Sequence, residues 1–197
     1  MLVYVIRHGQ TDWNAIRRLQ GQKDIPLNDF GRQQAVGNGK LLAQLLGEQA
    51  TDFDYVASPL GRTRETMELM RGAMGLDPLA YRTDDRLIEV SFGDWEGQTL
   101  PELKKEFPDR VKARKANKWD FIPPGQDAES YEILSWRIGA WLSSVERQSV
   151  CVCHGGVIRS IFRLVSGMDK DEASRTQIPQ DQILKVQIDR NSAEWIS

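Results

Sequence analysis

The chain has 197 residues, 40% of them hydrophobic and 27% charged, with a formal net charge of −2. Its length suits one domain, or one domain with an insertion, and its composition is that of an ordinary soluble globule. This balance excludes a global basic field that would draw nucleic acid, and no apolar run approaches the roughly 20 residues of a membrane span.

Leu2 to Ile6 is a continuous apolar run, as expected of a strand buried on both faces of a parallel sheet. Arg7, His8 and Gly9 follow at its carboxyl end, where open α/β sheets bind ligands. Glycine there permits a sharp turn, and a guanidinium can fork two oxygens of a phosphate or carboxylate. Residues 14–27 lack a sustained period and contain Gly21, Asp24 and Pro26, which predicts a loop over the site. Asn28 is a fitting N-cap for a helix reaching about Leu46, with Ala35, Leu42, Leu45 and Leu46 available for packing. Gly37 and Gly39 weaken that helix and predict close contact with the sheet. Phe53 to Ala57 reads as a second strand, running into Ser58 as N-cap and Pro59 at the first helical position. Arg62 and Arg64 then lie near a helix start that already favours an anion.

Leu79 to Arg82 reads as a short third strand, followed by a glycine-punctuated segment from Arg86 to Gly97. Lys104, Lys105, Arg110, Lys112, Arg114, Lys115 and Lys118 oppose only Glu106 and Asp109. Such a run is usually a solvated helix face; its functional reading is attraction of an anionic substrate. Residues from about 98 to 128 are expected to form a cap inserted into the domain, closed by the turn at Pro123-Pro124-Gly125. Helical periodicity returns at Tyr131, Leu134, Ile138, Trp141, Leu142 and Val145. Trp119, Trp136 and Trp141 read most simply as packing residues. Val150 to Cys153 is another buried strand, ending at His154-Gly155-Gly156. A helix from Val157 to Val165, a strand from Gln182 to Ile188 and a final strand near Trp195 complete the chain. The alternation predicts a three-layer α/β/α sandwich with a mostly parallel central sheet and a small helical cap. Parallel strands end on one edge, so His8 and His154, the two histidines of the chain, are expected to meet there.

Two arginines, two histidines and a glycine-rich strand end make a pocket for a tetrahedral dianion. Phosphoryl transfer needs charge neutralised on the non-bridging oxygens, an in-line nucleophile, and a proton for the leaving oxygen. Arg7 and Arg62 suit the first task, with Asn14 and backbone N–H groups at Gly155 as neutral donors. His8 suits the second if one ring nitrogen is unprotonated, and a backbone carbonyl on the other would fix that tautomer. Glu89 suits the third, and His154 the stabilisation of the transferring group. The plainer reading of Glu89 is a loop carboxylate paired with Arg86; Arg64 and Arg159 read as structural or surface residues.

Arg7-His8-Gly9-Gln10-Thr11-Asp12-Trp13-Asn14 resembles the signature of the histidine phosphatase superfamily, which includes the phosphoglycerate mutases. Four further stretches fit the same pattern in order: Leu27 to Ala35, Ser58 to Thr66, Leu87 to Glu89 with Phe92 to Gly97, and His154 to Arg159. The resemblance spans nearly the whole chain and implies a single phosphoglycerate mutase-like domain over residues 1–197. It implies His8 as nucleophile, Arg7, Arg62 and His154 as phosphate pocket, and Glu89 as proton donor. Asn14, Gln20 and Gly21 match substrate-contact positions, and the family needs no metal or organic cofactor.

Within the family a phosphatase is favoured over a mutase. The mutases read Glu-Arg-His-Tyr-Gly at the acid-base loop, whereas this chain reads Glu89-Val90-Ser91-Phe92-Gly93, without the arginine and tyrosine that would hold phosphoglycerate. Pro123-Pro124-Gly125 followed by Glu129-Ser130 looks more like the small bacterial phosphatases, although Gln126 to Ala128 depart from their spacing. The resemblance therefore implies a metal-independent phosphomonoesterase acting through a phosphohistidine. The expected partner is a small phosphorylated substrate, with no nucleic acid and no membrane; a homodimer stays an open option.

Three rival readings remain. Cys153 to Ser160 satisfies the Cys-x-x-Gly-x-x-Arg-Ser spacing of cysteine-dependent phosphatases, in which a thiolate attacks phosphorus. Against it, Val152 stands where such loops usually carry histidine, and Cys153 fits a buried strand position. Cys151, Cys153 and His154 lack the usual spacing of a metal finger. A phosphate sensor without turnover is the non-enzyme alternative. The cysteines sit on alternate residues of one strand, poorly placed for a disulfide, so a reduced, cytoplasmic setting is expected.

Overall fold

The computed structural model describes residues 1–197 and is built on a six-stranded sheet of order β3-β2-β4-β1-β5-β6. The strands are β1 (Leu2–Arg7), β2 (Asp54–Ala57), β3 (Arg82–Thr83), β4 (Ser149–Cys153), β5 (Ile183–Gln187) and β6 (Ser192–Ile196). From β3 to β1 the pairs are parallel; β5 runs antiparallel to β1, and β6 to β5. The predicted sandwich with a mostly parallel sheet is the fold observed.

Side-chain alternation along β1 divides the core. Tyr4 and Ile6 join Leu42, Leu46, Met67 and Met70 beneath helices α2 (Asp29–Leu46) and α3 (Gly61–Ala73). Val3 and Val5 face the opposite way, onto Leu134, Ile138, Trp141, Val157 and Ile161 of α6 (Tyr131–Ser143) and α7 (Gly155–Val165). A strand covered by helices on both sides has no solvated face, which is why β1 reads as an unbroken apolar run. Asn28 caps α2 by accepting from Gly31 N at 2.9 Å, as predicted.

Several elements depart from expectation. The stretch over the site is not wholly a loop: α1 (Asp12–Ala15) forms because the Thr11 side chain accepts from Asn14 N while Asn14 Oδ1 accepts from Thr11 N, a reciprocal cap. Ser58 does not cap α3; the helix begins at Gly61 after Leu60, which frees the Ser58 hydroxyl. Gly39 packs against the Met70 backbone of α3 rather than the sheet, and Gly37 meets nothing. Leu79 lies exposed outside β3, which is confined to the two residues that can pair with Val56 and Ala57. Leu45 and Trp136 are exposed rather than packed. The helix after β4 starts two residues early, at Gly155, and α8 (Lys170–Arg175) was not signalled by any apolar period.

The basic segment forms α4 (Leu100–Glu106), opened by a Thr99/Glu102 capping box, and α5 (Pro108–Ala116). Its tail is tied to α8: the Lys118 ammonium donates to the Ser174 carbonyl, and Lys170 bridges Asp120 and Glu132, each at 3.1 Å. No helix is long and apolar enough to cross a membrane.

Candidate active site

Strand register builds the site. β1 and β4 are paired through Arg7 opposite Cys153, so the next residue of each strand, His8 and His154, emerges at the same edge. The His8 amide donates to the Cys153 carbonyl at 3.0 Å, and the two imidazoles meet edge to face with centroids 5.2 Å apart. On the far side of β4, Ser58 follows β2 and its amide donates to Val152 O at 3.0 Å. Ser58 Oγ then lies 2.8 Å from His154 Nε2. Three adjacent parallel strands thus deliver Ser58, His154 and His8 in a row.

His8 Nδ1 lies 2.8 Å from the Gly9 carbonyl, which can only accept. That contact places the proton on Nδ1 and leaves Nε2 with its lone pair. Burial, reinforced by the positive charges of Arg62 and Arg7, pushes the His8 pKa well below the ordinary 6.5. His154 is pushed down in the same way by burial, then by Arg62, His8 and Arg7. Both rings are therefore neutral in the free protein at pH 7.

Arg62 is fully buried; its two terminal nitrogens donate to Lys23 O and Gly21 O, each at 2.7 Å. Arg7 donates to Ile178 O at 2.7 Å, and burial lowers its pKa to about 10. In both arginines Nε is buried without a protein partner, a donor that an anion's oxygen would satisfy. Glu89 accepts from the Gly156 amide at 3.0 and 3.1 Å through its two oxygens, at the start of α7. It is not paired with Arg86, whose partner is Asp84 at 2.6 Å. Arg137 fixes the Glu89 loop by donating to the Ile88 and Glu89 carbonyls while paired with Glu129 at 2.9 Å.

These groups face a cavity of about 370 Å³ lined by Arg7, His8, Asn14, Gln20, Gly21, Arg62, Glu89 and Gly155, all of them predicted site residues. His154 stands behind His8, buried, and does not line the cavity. Asn14 Oδ1 accepts from Gln180 Nε2 at 3.2 Å, and the Thr11 hydroxyl donates to Gln20 Oε1. Arg159 also lines the cavity, against the expectation that it is structural; Arg64, on the exposed side of α3, does not. Arg114, Lys118, Tyr131 and Gln180 are further lining residues. The basic run signalled the first two only as part of a longer stretch, while Tyr131 and Gln180 gave no polar pattern. Seven cations and a single carboxylate border the cavity, in a chain whose net charge is −2. A wider groove of about 550 Å³, around the start of β2 and the end of α3, holds neither histidine nor Glu89.

Cys153 lies in the apolar core among Val157, Ile158 and Leu184, and burial raises its thiol pKa well above the ordinary range. Both cysteines are free thiols.

The chain is similar to known proteins over most of its length. A relative from Arabidopsis thaliana, phosphoglycerate mutase-like protein 4, is 36% identical over 81% of this chain and 69% of its own length. The uncharacterized phosphatase PhoE of Bacillus subtilis is 31% identical over 86% of this chain and 79% of its own. The structure of the mycobacterial glucosyl-3-phosphoglycerate phosphatase Rv2419c, in complex with VO3, superposes with a TM-score of 0.74 at 27% identity, covering 93% of this chain and 91% of that one. Phosphatases and mutase-like proteins both transfer phosphoryl groups, the class of chemistry the cavity's charge and histidines suit. Residues 3–197 match the family described as Histidine phosphatase superfamily (branch 1), and the chain belongs to that superfamily.

Proposed function

We propose that the protein is a metal-independent phosphomonoesterase that hydrolyses a small phosphorylated metabolite through a phosphohistidine at His8. The observation that carries this reading is the His8 ring, neutral, held by Gly9 O at 2.8 Å and directed into a cavity bordered by Arg7 and Arg62. In the first step Nε2 attacks phosphorus, an N–P bond forms, and the ester P–O bond breaks as Glu89 gives its proton to the departing alkoxide. In the second step Glu89 takes a proton from water, whose oxygen bonds phosphorus as the N–P bond breaks. Arg7 and Arg62 neutralise the non-bridging oxygens throughout, the task a divalent cation performs in other phosphoryl-transfer sites. A bound dianion also offsets the positive field around His154, favouring an imidazolium beside the His8 ring.

Hydrolysis is preferred to mutase activity because of the loop after Glu89. Val90 is buried and Phe92, which lines the cavity, has no hydroxyl, so neither supplies the polar contacts that retain a phosphoglycerate in the mutases. The test is phosphate release from a panel of phosphomonoesters with a metal chelator present. Turnover is expected to persist in the chelator and to fall at least about 1,000-fold in His8→Ala. Unchanged turnover in His8→Ala, or dependence on an added divalent cation, overturns the reading. Phosphate binding without turnover of any ester would favour a sensor.

A further inference from the structure

We propose that Gln180 is a positioning residue for phosphoryl transfer, which turns the Asn14 amide so that its NH2 group faces the phosphoryl site. This rests on the phosphomonoesterase reading and adds a residue to it. Backbone groups settle which way both side-chain amides point. Gln180 Nε2 lies 2.9 Å from the His8 carbonyl, which can only accept, so this end of the Gln180 side chain is the donor. The Thr11 amide can only donate and lies 3.2 Å from Asn14 Oδ1, so the carbonyl end of Asn14 is turned inward. Gln180 Nε2 closes the arrangement by donating its second hydrogen to the same Oδ1 at 3.2 Å. Asn14 Nδ2 has no protein partner, and Asn14 lines the cavity beside Arg7, His8 and Arg62. Both hydrogens of Nδ2 are therefore available to a phosphoryl oxygen.

The loop between α8 and β5 that carries Gln180 is held firmly enough for this task. Asn38 of α2, only 2% exposed, donates its Nδ2 to the Gln180 carbonyl at 3.0 Å. Two residues earlier, Ile178 O takes the Arg7 guanidinium at 2.7 Å. Residues 178–180 thus hold an arginine of the phosphate pocket, the backbone of the nucleophile and the orientation of a neutral donor. Because the two hydrogens of Gln180 Nε2 are spent on His8 O and Asn14 Oδ1, this nitrogen has none left for the substrate, and its effect passes through Asn14. Removing it leaves Asn14 Oδ1 held by the single contact at Thr11 N, and the amide gains freedom to point a carbonyl oxygen at the dianion. An acceptor in that direction repels the charge that the site must stabilise.

The test is a double-variant cycle with p-nitrophenyl phosphate, or the fastest ester of the panel, as substrate. Gln180→Met keeps the length of the side chain and removes its donor; Gln180→Leu takes its place if that variant does not fold. The expected kcat/KM falls at least about tenfold, whereas Asp181→Asn, an exposed change in the same loop, stays within about twofold of the wild type. In an Asn14→Ala background the Gln180 substitution is expected to cost less than about a further twofold, since the group it orients is already gone. A purely structural glutamine would lower activity by the same factor in both backgrounds, and that additivity overturns the proposal. So does unchanged kcat/KM in Gln180→Met, or an equal loss in Asp181→Asn. If the wild type hydrolyses no phosphomonoester, the phosphatase reading fails separately and calorimetry with inorganic phosphate decides. Binding weakened at least about fivefold by Gln180→Met, with no further loss in Asn14→Ala, supports the proposal, and equal binding overturns it.

Discussion

His8 and His154 lie 146 positions apart in the chain, yet their rings are 5.2 Å apart at an interplanar angle of 62°. The parallel pairing of β1 with β4 places them there, since each is the first residue past a strand end that is fixed by register. Neighbouring parallel strands thereby concentrate chemistry that a single loop would hold less firmly. The same pair makes the protein's stability sensitive to acid.

Each imidazole is held in the fold with a pKa well below the ordinary 6.5, chiefly by burial. Below pH 6.5 the unfolded chain therefore binds protons that the folded protein refuses, and stability rises with pH through that window. Lowering the pH from 7.5 toward 5.5 is expected to reduce unfolding free energy progressively, with a limiting slope of about 1.4 kcal/mol per pH unit for each histidine. Denaturant midpoints across that range measure it, and His154→Gln should roughly halve the slope. A flat profile in the wild type would contradict this electrostatic description.

Cys153 provides a sharp contrast. Its thiol is fully buried and held protonated, so Cys153→Ala is expected to cost about 1 kcal/mol of stability for the lost packing. kcat should stay within about threefold of the wild type, because the proposed mechanism routes no step through sulfur. Loss of turnover in a folded Cys153→Ala variant would revive the thiolate mechanism.

In the proposed mechanism Ser58 positions His154 through the 2.8 Å contact with its Nε2. Ser58→Ala should lower kcat by about tenfold, the equivalent of one hydrogen bond, with KM nearly unchanged. A purely structural serine would shift the thermal midpoint and leave kcat alone.

The turn after β1 packs its backbone closely against the first turn of α2. A Cβ at Gly9 would collide with the Gly31 carbonyl, and one at Gly31 with the Gln10 backbone, so the turn after β1 and the first turn of α2 fit only as glycines. Gly9→Ala and Gly31→Ala are each expected to destabilise by about 1–3 kcal/mol, measured by chemical denaturation. Substitution at Gly37, which faces open space, is the control and should be neutral or stabilising.

The sequence discloses whatever rests on periodicity or local capping: β1 and β4 as apolar runs, α2 through Asn28, and the meeting of the two histidines through the rule that parallel strands share an edge. Non-local contacts are less legible. Arg159 reads as structural because helix periodicity says nothing of which loop lies opposite, and only the α8 tether brings it beside Lys118. Ser58-Pro59 carries the usual marks of a helix start, but α3 begins at Gly61, where Asp24 accepts from the Gly61 amide at 2.7 Å. That carboxylate comes from 37 positions earlier and leaves Ser58 free for His154.

The most direct measurement is the site of phosphorylation during turnover. Rapid quenching with a labelled phosphomonoester, followed by peptide mapping under conditions that preserve N–P bonds, should recover acid-labile phosphate on the peptide containing His8 and none on the peptide containing Cys153. Label on Cys153, or on any residue other than His8, would contradict the account.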